Sequence, residues 1–149
     1  MNLRLSLLLV VILCSFQTIS FAQKIKLDKK TDVISIDGVD RLKIERSTWD
    51  FSVQDLEGNE IAYLVFQEYK DRKEISKSNP TGRVTYFELT FEGVEGMTEV
   101  VLFWTKKQLT GFLLKHELID LRGQVQKETV AKYIKRNGQK YSRKREELK

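Results

Sequence analysis

His116 is the only histidine of the 149-residue chain, so acid–base or metal chemistry would have to begin there. An imidazole exchanges its proton near neutral pH and could serve a Ser-His-Asp arrangement as general base. No G-x-S-x-G accompanies it, and the serines stand in plain polar contexts. A metal site draws on several His, Cys or carboxylate ligands, and the single cysteine is Cys14. Glu88 and Glu92 form a carboxylate pair of the type glycosidases use, but their separation is not set by sequence. Asp55, Glu57 and Asn59 place oxygens at alternate positions, as a calcium loop does. Gly58 stands at its fourth position rather than its sixth, and Phe66 occupies the twelfth, where a bidentate acid is needed. A hairpin turn accounts for the same residues. Neither glycine-rich phosphate-binding pattern occurs. The sequence thus points to no metal or cofactor, and His116 reads as a histidine near a helix end, hydrogen-bonded or half exposed.

Binding chemistry is concentrated at the C-terminus. Lys140, Tyr141, Arg143, Lys144 and Arg145 combine positive charge with one aromatic ring, a pattern that suits polyanions. The surrounding stretch is basic throughout: from residue 126 onward, nine Lys or Arg stand against Glu128, Glu146 and Glu147. The chain carries a net charge of +5, so the remainder is mildly acidic. Residues 139–149 offer only Tyr141 and Leu148 for burial, which predicts a mobile basic tail. A solvated tail without a partner explains its composition equally well.

The N-terminus decides which polyanions such a tail would meet. Arg4 and the terminal amine precede an apolar run from Leu5 to Leu13, broken by Ser6. The run thins at Ser15, Gln17 and Thr18, and Ser20-Phe21-Ala22 puts small residues at the −3 and −1 positions of a cleavage site. This is the layout of a secretory signal peptide, residues 1–22. A membrane-spanning helix needs about 20 mostly apolar residues, more than this run supplies. Leu13 before Cys14 is too bulky for a lipid-attachment site. Cleavage after Ala22 leaves the mature chain without cysteine, hence without a disulfide or a thiol nucleophile. Export takes the protein away from nucleic acid. It leaves anionic envelope polymers or lipid headgroups as partners for the basic tail.

The elements that would position these groups read as one domain, residues 23–138. Short strands are expected in residues 23–30, 33–37 and around Leu42 and Ile44, with Asp37-Gly38 as a hairpin signal. Trp49, Phe51 and Val53 alternate with Asp50, Ser52 and Gln54, the period of a half-buried strand. Ile61 to Phe66 is apolar without a break, which predicts a central strand covered on both faces. On that basis Phe66→Ala is expected to cost about 3–5 kcal/mol. Lys70 to Gly82 reads as a loop ending in Asn79-Pro80-Thr81-Gly82. Strands follow at 84–91, with Phe87, Leu89 and Phe91 on one face, and at 100–104, the two separated by a turn between Gly93 and Gly96. A helix opens with the capping-box pair Thr105 and Gln108 and a Trp104–Leu109 staple. It presents Leu109, Phe112, Leu113 and His116 on one side and Leu114 and Leu118 on the other. A second helix, 127–136, carries a Val130, Tyr133, Ile134 stripe and stops at Asn137-Gly138.

Three stretches, SFAQ at 20–23, VISIDGVDRLKIE and DLEGNEIAYLVFQEY, together with the ending ELIDLRGQVQKETVAKYIKRNG, resemble a group of small uncharacterised exported proteins of Gram-negative bacteria. The resemblance spans most of the mature chain and implies a compartment and an α+β layout. Residue patterns and resemblance lead to an α+β domain: an antiparallel sheet of five to seven strands followed by two C-terminal helices packed on one face. The expected role is a non-enzymatic envelope or secreted protein that binds another envelope component. The alternative is a small hydrolase using carboxylates and His116.

Overall fold

The computed structural model describes residues 23–101 and 105–149. The expected signal peptide, and Trp104 with its staple to Leu109, lie outside the described residues. Seven strands form one antiparallel sheet in simple sequence order: β1 (Ile25–Leu27), β2 (Val33–Ile36), β3 (Val39–Ser47), β4 (Asp50–Gln54), β5 (Glu60–Lys70), β6 (Arg83–Phe91) and β7 (Val94–Val100). Three helices follow: α1 (Lys106–Lys115), α2 (Lys127–Asn137) and α3 (Lys140–Glu147). The fold is therefore α+β, with a seven-stranded antiparallel sheet ahead of its C-terminal helices.

Local chemistry sets most of the turns. Asp37 and Gly38 both adopt positive φ, 52° and 85°, and join β2 to β3. That backbone matches the right-handed twist of the strands it links. At the β5 entrance, the Asp55 carboxylate accepts from the backbone N–H of Glu57 and of Asn59, each at 2.9 Å, and from the Asn59 side chain at 2.8 Å. These bonds make the segment a side-chain-locked turn, and Asn59 holds the Asp55 carboxyl below its ordinary pKa. Ser47 pairs with Asp50, leaving Thr48 and Trp49 as the tip of the β3–β4 hairpin. Trp49 is consequently 50% exposed, where the alternation had placed it beside Phe51 and Val53. The Arg46 guanidinium lies 5.7 Å from its ring.

Alternation along the strands puts Ile34, Ile36, Leu42, Ile44, Phe51, Val53, Ala62, Leu64, Phe87, Leu89 and Phe91 in a single buried cluster. Leu109, Leu113, Leu118, Ile119, Val130 and Tyr133 complete it from the helical half. Thr105 and Gln108 form the capping box that starts α1. Helix α1 packs at β1, where Gly111 lies against Ile25, and α2 packs on β7, where Ile134 covers Gly96.

Two strand expectations change. In β5, Ala62 and Leu64 are buried, but Tyr63, Val65 and Phe66 are only half buried. The apolar run is thus one buried face with a partly open reverse, not a strand covered on both sides. Among the described residues the last strand is Val94–Val100, beginning inside the stretch expected to be a turn, and most of the strand expected at 100–104 lies outside the described residues. Its turn is Glu92-Gly93, and Gly96 sits within the strand at φ 93°. Glu95, Gly96, Thr98 and Glu99 hide its alternation, because Thr98 and Glu99 are themselves buried.

Candidate functional site

Residues 139–149, expected as a mobile tail, fold instead as helix α3 up to Glu147 and lie on the sheet. Tyr86 and Glu88 alternate with the core residues Phe87 and Leu89, so they face the opposite side of β6. Helix α3 covers that side. The Tyr141 ring stacks on Tyr86 with centroids 5.3 Å apart, and Tyr86 is left 1% exposed. Burial pushes the Tyr86 hydroxyl up to about 12.

Charge does the rest of the docking. Glu99, on β7, is 8% exposed and receives the backbone N–H groups of Tyr141 and Ser142, the latter at 2.8 Å, together with the Ser142 hydroxyl. These are first-turn donors that a helix cannot satisfy internally. Gln139, the residue preceding the helix, makes no capping bond of its own. Arg145 donates to the Gln67 side chain and lies 3.6 Å from the Glu88 carboxylate. Lys144 reaches Asp71 at 2.6 Å. Asp71 is 3% exposed and also accepts from the Lys73 N–H at 2.9 Å. Lys144, and then that N–H, hold its carboxyl below the ordinary range.

The five tail residues singled out from sequence therefore divide. Tyr141, Lys144 and Arg145 turn inward and are engaged by the sheet face and the 71–74 turn. Lys140 and Arg143 stay exposed. They meet Lys135 and Arg136, also exposed, across the Asn137-Gly138-Gln139 connection. Together with Lys144 and Glu147 these residues line an open groove of about 540 Å³. No ion-pair partner holds Lys135, Arg136, Lys140 or Arg143 among the described residues. The Arg136 guanidinium lies 5.7 Å from the Tyr133 ring, and Lys135 and Arg136 join Lys140 and Arg143 only in space, because they belong to the preceding helix.

His116 caps the C-terminus of α1. Its ring packs 4.7 Å from Phe112 and 5.2 Å from Tyr133. Burial, reinforced by the Lys115 and Arg136 charges, lowers its pKa. The charges acting on it are cations, and these contacts give a hydrolase built on His116 no support. Glu88 is occupied by Arg145, so the proposed pair with Glu92 is not a free pair of carboxylates. Among the described residues, no group of three or more His, Cys, Asp or Glu could hold a metal ion.

No protein-family model, no curated protein and no solved structure matches this chain.

Proposed function

We propose that the protein is an exported, non-enzymatic envelope or secreted protein that binds an anionic envelope polymer through the groove between α2 and α3. The observation that carries this reading is the convergence of Lys135, Arg136, Lys140 and Arg143 on one groove, where they are exposed, outnumber its one carboxylate, Glu147, and have no ion-pair partner among the described residues. Like charges repel when brought together, and their potentials add toward a polyanion. The groove has no apolar lining residue to insert into a bilayer, and peripheral membrane surfaces combine both features. That favours a polymer over lipid headgroups. Export rests on the signal-peptide layout of residues 1–22 and on the resemblance to small exported proteins.

Binding to dextran sulfate and to phosphatidylglycerol–phosphatidylethanolamine vesicles tests the reading. The chain should be retained on dextran sulfate and released as salt rises, since the screening length is about 8 Å at physiological ionic strength. Combined replacement of Lys135, Arg136, Lys140 and Arg143 by Gln should abolish most of that retention. Equal retention of the variant would contradict the groove, and retention on vesicles alone would transfer the site to headgroups. Mass spectrometry of exported material should find Gln23 at the N-terminus; intact or lipid-modified Cys14 would contradict export by cleavage.

A further inference from the structure

We infer that Glu99 is the positioning residue of the anion groove: helix α3 is a charge-held clasp, and the groove exists only while that clasp is closed on the sheet. The inference rests on the groove reading above and adds what assembles it. The groove's cations come from two helices, Lys135 and Arg136 from α2 and Lys140 and Arg143 from α3. The link between the helices does little to fix their angle. Gly138 has φ 60° and ψ −151°, a region essentially restricted to glycine, and Gln139 provides no cap.

The orientation of α3 is instead set by β7, through Glu99. Its two carboxylate oxygens take the N–H groups of Tyr141 and Ser142 and the Ser142 hydroxyl. A carboxylate at this position also meets the positive end of the helix. Lys144–Asp71 and Arg145–Glu88 hold the next turn. No residue of α3 belongs to the apolar core cluster. The clasp can therefore open while the sheet and the first two helices keep their packing, which is the signature of a locally unfolding unit. The basic tail is complementary first to the chain's own acidic face, and the cations left over form the outward site.

The test uses the full mature chain, residues 23–149, with Glu99→Ala, Glu99→Gln and Lys140→Gln/Arg143→Gln variants. Amide hydrogen exchange reads Tyr141 and Ser142, and dextran sulfate binding reads the groove. In Glu99→Ala both amides should lose most of their protection. Affinity should fall severalfold, toward that of the Lys140→Gln/Arg143→Gln variant, although Lys135, Arg136, Lys140 and Arg143 are all retained. Glu99→Gln, which keeps an acceptor oxygen, should recover part of both signals. Unchanged protection in Glu99→Ala would overturn the clasp, as would global unfolding, since the clasp lies outside the core. Lost protection with unchanged affinity would overturn the positioning role. Failure of the unsubstituted chain to bind dextran sulfate would remove the groove reading and the positioning role with it, while the exchange result would still decide the clasp.

Discussion

Glu99 and Ser142 are 43 residues apart in sequence, yet the Glu99 carboxylate accepts the Ser142 N–H at 2.8 Å and closes the N-terminus of α3 from the neighbouring sheet. Capping bonds are ordinarily supplied by the residue that precedes the helix and contribute about 0.5–2 kcal/mol. Here the cap is tertiary, so it both completes the helix and ties it to β7. An eight-residue helix is too short to persist alone in water; α3 exists because the sheet provides its cap and its charge partners.

Tyr86 reports on whether α3 is closed. Its hydroxyl is pushed up to about 12 by burial, against an ordinary tyrosine value of about 10. Burial also raises Tyr63, Tyr69 and Tyr133, so ultraviolet titration should show Tyr86 as the last tyrosine to ionise. Tyr141→Ala removes the ring stacked on it, and that late step should move toward about 10. The neutral form is the one favoured in the fold. Stability should therefore be unaffected below about pH 10 and fall as pH rises from there toward about 12. No change in the titration of Tyr141→Ala would mean that α3 does not cover Tyr86.

Core truncations should follow depth rather than ring size. Leu64 is fully buried, and Leu64→Ala should cost about 2–5 kcal/mol. Phe66 is half buried, against Trp49 and Phe87, so Phe66→Ala should cost less than Leu64→Ala. Urea melts of the two variants decide the order. A larger loss at Phe66 would mean that this end of the core face, where Phe66 pairs with Phe87, is more deeply packed than its exposure indicates.

Asp71 should contribute to the acid limb of the stability curve. Its carboxyl is lowered first by Lys144 and then by the Lys73 N–H. A depressed native pKa means the contribution is complete above the unfolded value of about 3.9. It is lost as pH falls further, through the lower native value. Asp71→Asn should flatten that part of the curve and leave stability near pH 7 lower than in the parent chain. An identical acid limb in the two proteins would show that the Lys144–Asp71 contact is not made in solution.

What was legible in the sequence was local. Asp37-Gly38, the Thr105–Gln108 capping box and the Asn137-Gly138 stop each involve residues within a few positions of one another, and each marks the element boundary it predicted. His116, half buried against Phe112 and Tyr133, also sits where its helical spacing placed it. Strand β7 was obscured because a buried Glu99 and Thr98 look like surface residues in a linear pattern. Helix α3 was missed for a related reason. It docks through one aromatic stack and through Asp71, Glu88 and Glu99, three acids scattered over the body whose common face appears only once β5, β6 and β7 are paired. Composition showed a basic end on an acidic body; only the topology shows that the end binds the body.

The groove is tested most directly by nuclear magnetic resonance titration of the isotopically labelled mature chain with dextran sulfate. The account predicts that the amides of residues 135–140 and Arg143 shift first and saturably, that Lys144 and Arg145 follow only weakly because Asp71 and Glu88 hold them, and that added salt reverses the shifts. Shifts centred elsewhere, for example on residues 24–30 or around Trp49, or no saturable shifts at all, would contradict it.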